Sequence, residues 1–273
     1  MAATPGAVAP RGPVRLEIAV QDVDGATAAV AHGAERLEVC QALAVGGLTP
    51  SLGLVEHAAG LGVPVRPLLR PRAGGFRVSS GERQVMRRDV ELLASAGAEA
   101  LVVGALAERS DGAPGLDVPA LTTLAEAAAG RPVIVHRCVD VLLGAGAAPE
   151  ELVEQLIACG AAGVLTSGGA ADALAGSATL TRLVRAAAGR LEIVAGGGVR
   201  PEGLATLVAA GVDAVHLSAS GPQSAGPAGP GGGEEAFATT DAQQVRAARA
   251  ALDAAPSGAE PDADPGAAPS SAR

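Results

Sequence analysis

A strand-like run in this sequence ends in four side chains that can do chemistry. The stretch "RPVIVHRCVD" (131–140) passes from β-branched residues to His136, Arg137, Cys138 and Asp140. An imidazole and a carboxylate can transfer protons, a guanidinium can bind an anion, and a thiol can bind a soft metal ion. What these groups do depends on which other residues the fold brings beside them.

Short apolar runs that are typical of buried strands alternate with Ala- and Leu-rich helical stretches along the chain. The strand candidates are 15–20, 35–40, 63–69, 99–105, 131–136, 162–167, 191–196 and 213–218. Eight strands, each followed by a helix, predict a single (β/α)8 barrel of the TIM type. A doubly wound open sheet is the alternative, but the even count and the regular spacing favour a closed barrel.

The barrel domain is predicted to span 14–255. Residues 1–13 and 256–273 have the composition of disordered segments, and the Gly-, Pro- and Ser-rich stretch 220–235 predicts a flexible loop. A last helix is predicted over 239–255. In the helical stretch "SSGERQVMRRDVELLASAG", Ser80 is the predicted N-cap.

The alternation of side chains along a strand predicts which residues face the barrel interior. Apolar residues of one parity should face the helices, and the opposite parity points inward: Glu17, Glu38, Cys40, Arg66, Arg70, His136 and His216. Arg137 should then reach over the rim. Barrels usually fill this space with branched aliphatic side chains, and barrel enzymes keep their sites at the C-terminal ends of the strands. The charged interior therefore favours a functional site there, although a buried Glu17–Arg70 pair that only holds the strand register is the alternative.

Two glycine-rich segments follow the sixth and seventh predicted strands. They are "LTSGGAADA", with Ser167 and Gly168, and "VAGGGVRPE", with Gly197 and Gly198. Backbone N–H groups at the start of a helix favour an anion, and phosphate sites near the last strands are common in barrels. The alternative is that these glycines only permit tight turns.

Composition excludes several classes of protein. All 20 cationic side chains are arginine, so Schiff-base aldolases, pyridoxal-phosphate enzymes and Walker-type phosphate loops are excluded. A net charge of −9 without a basic patch argues against nucleic acid and anionic membranes as partners. The first residues do not have the basic and apolar pattern of a secretory signal, so none is expected, and no apolar run reaches the ~20 residues that a membrane span needs. Three cysteines without a CxxC pair indicate reduced thiols in the cytoplasm.

Several blocks of the chain resemble the CutC copper homeostasis family. They are "RLEIAV", "GAERLEVCQALAVGGLTPSLG", "RPRAGGFRVSSGE", "HRCVD", "VLTSGG", "VAGGGVRPE" and "VHLSAS", and in order they cover about 14–221. The resemblance implies a cytoplasmic (β/α)8 barrel that forms homo-oligomers, dimers or tetramers, and binds copper through cysteine. The matching thiol is Cys40. The matching mouth residues are Glu17, Glu38, Arg70, Arg72, His136, Arg137, Asp140 and His216.

The chain departs from the family pattern at the first strand, where Ala19 stands in place of the usual cysteine. Cys138 is the candidate replacement. The first functional hypothesis is therefore a copper homeostasis protein that binds or carries Cu(I) at Cys40 with Cys138 or His136.

The alternative is a barrel enzyme of unknown reaction that acts on a small anionic or phosphorylated substrate. Arg70 and Arg72 would bind the anion, Glu17 or Glu38 would act as general base, and His136 as acid. The candidate catalytic residues are Glu17, Glu38, Arg70, His136 and Asp140. The candidate binding residues are Arg72, Arg137, Ser167, Gly168, Gly197, Gly198 and His216, and the candidate metal ligands are Cys40 and Cys138.

Overall fold

The computed structural model describes residues 12–227, 229–230 and 235–256. The predicted disordered tails lie outside the described residues except for 12, 13 and 256. In chain order the elements are β1 (Arg15–Val20), α1 (Val23–Ala31), β2 (Arg36–Val39), α2 (Leu52–Ala59), β3 (Val65–Pro67), α3 (Ser80–Ser95), β4 (Leu101–Val103), β5 (Leu106–Glu108), β6 (Pro114–Leu116), α4 (Val118–Ala127), β7 (Val133–Val135), α5 (Val139–Gly144), α6 (Pro149–Ala158), β8 (Gly163–Thr166), α7 (Ser177–Ala187), β9 (Glu192–Gly196), α8 (Leu204–Ala209), β10 (Ala214–Leu217), β11 (Ser220–Ser224), β12 (Ala236–Thr240) and α9 (Ala242–Ala254). Short 3-10 helices lie at Leu43–Val45 and Pro201–Gly203.

Within the described part of the chain, eight strands form one parallel sheet in the order β3-β2-β1-β10-β9-β8-β7-β4. The two ends of this sheet meet. Leu68 and Val102 form a parallel bridge, the Leu69 N–H donates to the Val102 carbonyl at 2.7 Å, and the Glu99 N–H donates to the Val65 carbonyl at 2.8 Å. The predicted closed (β/α)8 barrel is therefore confirmed, and the open-sheet alternative is wrong.

Strand parity separates two apolar layers, as predicted. Side chains of one parity, such as Leu16 and Ile18 of β1, pack in the core between the sheet and the helices. The other parity contributes a smaller cluster inside the barrel, which includes Leu68, Val102 and Leu165. Full burial of each such aliphatic side chain contributes about 1.5–3 kcal/mol.

Local capping explains where the helices begin. The Asp22 side chain accepts a hydrogen bond from the Gly25 N–H at 2.7 Å and caps α1. At α3 the N-cap is Ser79 rather than the predicted Ser80, because the Ser79 Oγ accepts from the Glu82 N–H and the Ser79 N–H donates to the Glu82 carboxylate, which completes a capping box.

The segment after β10 differs from the prediction. Ser220–Ser224 pairs antiparallel with Ala236–Thr240, so part of the predicted loop 220–235 is a strand, and so is the start of the predicted helix 239–255. Gln21 at the end of β1 donates to the Ala238 carbonyl and joins this hairpin to the barrel rim. None of the described helices is both long enough and apolar enough to cross a lipid bilayer.

Candidate functional site

A cavity of about 690 Å³ opens at the C-terminal ends of the barrel strands. Its polar wall contains Glu38, Cys40, Arg70, His136, Arg137, Asp140, His216 and Ser218. Its apolar wall contains Leu43, Val45, Leu68, Phe76 and Leu165. The strands thus bring together most of the side chains that the sequence placed at this end.

Glu38 is the most strongly perturbed acid on the cavity wall. Its side chain is only 5% exposed, and Oε2 has no hydrogen-bond partner among the described residues. Burial raises the pKa of Glu38 to about 7, with the charges of His216 and Arg66 opposing this shift and that of Glu17 adding to it. A carboxyl group with such a pKa exchanges protons readily near neutral pH.

Glu17 lies beneath the cavity and does not line it. The predicted Glu17–Arg70 pair is not formed, because Arg36 of the neighbouring strand is the register partner of Glu17 and binds its carboxylate. Burial by itself would raise the pKa of Glu17, but Arg36 and His216 outweigh it and the net shift is downward. Glu17 therefore stays ionised and is a poor base.

His216 connects these two acids. Its Nδ1 lies 2.7 Å from Glu17 Oε1 and 4.0 Å from Glu38 Oε2. Burial disfavours the imidazolium, but the charges of Glu38 and Glu17 raise the pKa of His216 overall. A protonated His216 between the two carboxylates is the state that these contacts favour.

A buried network of charged side chains continues from Glu17 toward the N-terminal ends of the strands. Arg36 Nη1 lies 2.7 Å from Glu192 Oε1, Arg66 Nη1 lies 2.8 Å from Glu192 Oε2, and Arg66 Nε lies 2.9 Å from Glu99 Oε2. Of these residues, sequence reasoning placed only Arg66 in the interior. The signal was available, since Arg36 has the parity of Glu38, and Glu192 has that of the inward-facing Val194.

His136 points inward as predicted and is neutral. A Cβ atom on Gly104 would lie 2.2 Å from His136 Cε1, so the ring lies directly against the backbone of this glycine. Burial lowers the pKa of His136 to about 4, and the nearby charge of Arg70 also lowers it. Nδ1 accepts the Cys138 N–H at 3.1 Å. The proton of the neutral ring is therefore on Nε2, where it can be donated to a ligand.

Arg70 is held rigidly in the cavity wall. Nη1 donates to the carbonyls of Val45 and Gly47 at 2.8 and 2.9 Å, and Nη2 donates to that of Gly74 at 2.8 Å. The guanidinium carbon lies 5.3 Å from the centroid of the Phe76 ring, within the range of a cation–π contact.

Arg72 does not share this position. It is outside the cavity lining, its Nε donates to Glu82 at 2.6 Å, and its other nitrogens donate to carbonyls of its own loop. The structure thus places only Arg70 of the predicted arginine pair on the cavity wall.

A carboxylate from α5, that of Asp140, already binds the N–H groups of the predicted phosphate loop after β8. Asp140 Oδ1 accepts from Thr166 Oγ1 at 2.5 Å, from the Ser167 N–H at 3.0 Å and from the Gly169 N–H at 3.1 Å. Asp140 Oδ2 also pairs with Arg137 Nε at 2.8 Å. Ser167 and Gly168 do not line the cavity.

Two side chains lie close to the glycines of the loop after β9. A Cβ atom on Gly197 would lie 2.6 Å from the guanidinium carbon of Arg137, and one on Gly198 would lie 2.8 Å from Asp172 Cβ. Gly197 and Gly198 line the cavity, but side chains of this chain lie against both.

The two candidate thiol ligands lie in different layers. Cys40 lines the cavity, whereas Cys138 packs in the core outside the barrel wall, and it lies at the N-terminus of α5. Burial raises the pKa of both thiols, and a neighbouring carboxylate, Glu38 for Cys40 and Asp140 for Cys138, raises it further.

Among the described residues, one group of three or more acidic, His or Cys side chains has the spacing of a metal site, namely Glu17, Glu38 and His216. It offers oxygen and nitrogen atoms, and Glu17 is already bound to Arg36. Cu(I) prefers thiolates. The donor set therefore does not fit a two-thiolate Cu(I) site.

Sequence reasoning missed the apolar wall of the cavity. Leu68 and Leu165 have inward parity and were accessible to the strand argument, but Leu43, Val45 and Phe76 come from loops that fold over the rim. Their placement depends on Arg70, which binds loop carbonyls on both sides of it.

The closed barrel, with one polar cavity at the C-terminal ends of its strands, defines a protein of the (β/α)8 class whose site lies at the usual end of the fold. The profile of the CutC family matches residues 14–221 of this chain. The chain belongs to the CutC family.

Relatives of known sequence and structure agree with this assignment. A family protein CutC from Agrobacterium fabrum is 43% identical over 211 residues, which cover 76% of this chain and 80% of the relative. One from Rhizobium meliloti is 41% identical over 250 residues, 88% of this chain and 97% of the relative.

Among solved structures, a CutC protein from Streptococcus agalactiae that is named for copper homeostasis superposes with a TM-score of 0.68. It is 28% identical, and the match covers 75% of this chain and 98% of that one. Thiamine phosphate pyrophosphorylase from Pyrococcus furiosus, with a TM-score of 0.53 and 12% identity over 88% and 96% of the two chains, shares the fold alone.

Proposed function

We propose that this protein is a barrel enzyme that transfers a proton to or from a small polar substrate bound in the mouth cavity, with Glu38 as the general base. One observation carries the proposal: a buried carboxylate oxygen on the cavity wall, Glu38 Oε2, has no partner among the described residues. An unsatisfied buried acceptor costs about 1–3 kcal/mol, and such costs are concentrated at functional sites.

The geometry supports abstraction of a proton from carbon beside a carbonyl group. Glu38 takes the proton, so the C–H bond breaks, a Glu38 O–H bond forms, and the electron pair moves onto the carbonyl oxygen as an enolate. The neutral His136 donates its Nε2–H to that oxygen and stabilises the charge that develops there. A Schiff-base route is excluded because the chain contains no lysine.

His216 and Glu17 support this role of Glu38. The imidazolium of His216, 4.0 Å from Glu38 Oε2, favours the ionised form of the base, and the contact of His216 with Glu17 at 2.7 Å keeps the imidazole in place. Glu17 is in turn held by Arg36. Of these two acids, Glu38 on the cavity wall thus acts as the base, and Glu17 beneath it stays an anion.

The test is solvent hydrogen exchange in D2O, followed by proton NMR, on dihydroxyacetone, hydroxypyruvate and dihydroxyacetone phosphate. The wild-type protein should accelerate exchange in at least one of these, with a pH profile that rises through about pH 7. Glu38→Gln should lower the rate at least 100-fold, whereas the exposed control Glu108→Gln should retain it. No acceleration, or an equal rate in Glu38→Gln, would overturn the proposal.

Copper handling is the second candidate. It is supported by the Cys40 thiol on the cavity wall and by the name of the Streptococcus agalactiae protein. It predicts that Cu(I) is retained under anaerobic conditions against a competing chelator, that Cys40→Ser abolishes retention, and that the control Cys159→Ser does not. Equal retention in Cys40→Ser would contradict this candidate.

Location and assembly are inferred from more general evidence. The three cysteines, all in the described part of the chain, are free, which supports the predicted cytoplasmic location. A homo-oligomer is proposed from the family resemblance.

A further inference from the structure

We infer that the ligand of the mouth cavity is a small, unphosphorylated hydroxy- or oxo-carboxylic acid whose carboxylate binds beside Arg70. The position of its reacting carbon at Glu38 rests on the proposed function, but the carboxylate contact does not. Three observations lead to this class of ligand: the balance of charge in the cavity, the donors that remain on Arg70, and the state of the glycine loops.

The first observation is an uncompensated positive charge. Two of the cationic groups on the cavity wall have carboxylate partners, since Arg137 pairs with Asp140 at 2.8 Å and His216 with Glu17 at 2.7 Å. Arg70 has no carboxylate partner within 4 Å among the described residues, only backbone carbonyls and the Phe76 ring. Among the described residues of the wall, Arg70 is therefore a guanidinium without an ion-pair partner, and a ligand carboxylate can supply one.

The second observation concerns hydrogen-bond donors. A guanidinium has five N–H donors. In Arg70, three of them donate to the carbonyls of Val45, Gly47 and Gly74, and Nε is buried without a partner among the described residues. One Nη2 hydrogen remains on a guanidinium that the loops hold in place. A charged donor that is fixed before the ligand arrives binds an anion without a large entropic cost.

The third observation excludes a phosphate at one of the two predicted positions, the loop after β8. The N–H groups of Ser167 and Gly169 donate to the carboxylate of Asp140, and the guanidinium of Arg137 lies against Gly197. A phosphate dianion at the loop after β8 would have to displace Asp140, or else it would lie beside a carboxylate of the same sign. A carboxylate at Arg70 meets neither obstacle.

The remaining wall is consistent with a small organic acid. Leu43, Leu68 and Phe76 give the cavity an apolar side, while Glu38 and the Nε2–H of His136 supply an acceptor and a donor. A ligand with a carboxylate and a hydroxyl or carbonyl group on the adjacent carbon presents complementary groups to these three side chains. Its hydroxyl would donate to the Glu38 carboxylate, and its carbonyl would accept from His136.

The test compares three ligands that share a skeleton and differ in charge: glycerate, glycerol and glycerol 3-phosphate. Saturation-transfer NMR titrations with the wild-type protein should give an affinity for glycerate at least tenfold higher than for the other two. Equal or tighter binding of glycerol 3-phosphate would overturn the inference, and so would equal binding of glycerol. This comparison needs no variant.

Variants then locate the carboxylate. Arg70→Gln should weaken glycerate binding at least tenfold, Arg70→Lys should lose less because it keeps the charge, and Arg88→Gln, an exposed arginine on α3, should bind as the wild type does. Circular dichroism and thermal unfolding establish that each variant is folded. Glycerate binding that survives unchanged in a folded Arg70→Gln would overturn the inference.

The outcome is separable from that of the proposed function. Glu38→Gln should still bind glycerate, because the carboxylate of the ligand contacts Arg70 and the glutamine oxygen can still accept from its hydroxyl, but it should lose hydrogen exchange. If glycerate binding depends on Arg70 but the rate of hydrogen exchange is the same in Glu38→Gln, only the proposed function is overturned. If hydrogen exchange depends on Glu38 but glycerate binds equally well to Arg70→Gln, only the placement of the ligand carboxylate beside Arg70 is overturned.

Discussion

The imidazole of His136 occupies the space that a side chain at residue 104 would need. Gly104 therefore controls the position of the ring, and through it the position of the Nε2–H. The Cys138 N–H fixes the tautomer from the other side of the ring. Two backbone features, a missing Cβ and a single N–H, thus decide what this histidine can do.

Gly104→Ala should displace the His136 ring. Because the added methyl group would lie 2.2 Å from Cε1, the ring or the strand must move, and we expect a loss of about 1–3 kcal/mol in the free energy of unfolding. Urea denaturation measures the loss, and the imidazole NMR signals report the displacement. Gly53→Ala is the control, since an added Cβ meets nothing within 4 Å in α2, and it should not destabilise the protein. Equal stability of the two variants would contradict this account.

The buried neutral His136 also predicts a dependence of stability on pH. Its pKa is lowered to about 4 in the folded state, so between pH 6.5 and 4 the unfolded chain binds more protons at this residue and stability falls as the pH falls. From pH 7 to 5 this histidine should account for a loss on the order of 2 kcal/mol in the free energy of unfolding. Denaturation of wild type and His136→Gln at both pH values isolates the contribution as the difference between their slopes. Parallel slopes would show that His136 is not responsible.

At the scale of elements, α5 and the loop after β8 are joined by one carboxylate. Asp140 in the first turn of α5 accepts hydrogen bonds from Thr166, Ser167 and Gly169 at the end of β8. The same carboxylate orients Arg137 toward the cavity. The Asp140 carboxylate therefore takes the place at this loop that a bound phosphate would have.

Asp140→Asn should loosen this connection. The neutral amide keeps one acceptor but loses the charge and two acceptor positions, and we expect the free energy of unfolding to fall by about 2 kcal/mol. Asp172→Asn is the matched control, because Asp172 accepts one N–H, that of Ala175, in an exposed turn. Thermal and urea unfolding of both variants provide the comparison. A loss no larger than that of Asp172→Asn would show that the Asp140 contacts do not stabilise the loop.

At the scale of the whole molecule, the barrel interior is divided along its axis. Arg36, Arg66, Glu192 and Glu99 form ion pairs near the N-terminal ends of the strands, whereas the cavity occupies the C-terminal ends. Glu17 belongs to both parts, since it contacts Arg36 and His216. Charges that would be costly singly are tolerated because each has a partner of opposite sign.

Arg36→Met should be among the most destabilising single substitutions. It removes the Arg36 guanidinium from the carboxylates of Glu17 and Glu192, which keep only His216 and Arg66 as close partners, and the loss of one partner of a buried pair costs about 3–5 kcal/mol. Arg182→Met, which removes an exposed pair with Glu150, is the control and should lie within the error of the measurement. Equilibrium urea denaturation distinguishes the two. Similar stability of both variants would show that the interior pairs contribute no more than surface pairs.

Much of this architecture follows from local periodicity. Eight apolar runs identified the eight barrel strands, and parity placed Glu17, Glu38, Cys40 and His136 inside, because alternation along a strand is a property of the chain itself. The position of the site at the C-terminal ends followed from the parallel strands of a (β/α)8 barrel.

Only the tertiary structure decided which of these residues meet. Glu17 pairs with Arg36 because strand register sets them side by side, while Arg70 lies four residues beyond Arg66, past the end of β3 and two strands away from β1. Cys138 lies outside the cavity because it is at the start of α5, where its side chain packs in the outer core. Asp140 accepts a hydrogen bond from the N–H of Ser167, which lies 27 residues later in the chain. Register between strands and the direction of a helix after its strand depend on packing across the whole barrel, and no local pattern of residues encodes them.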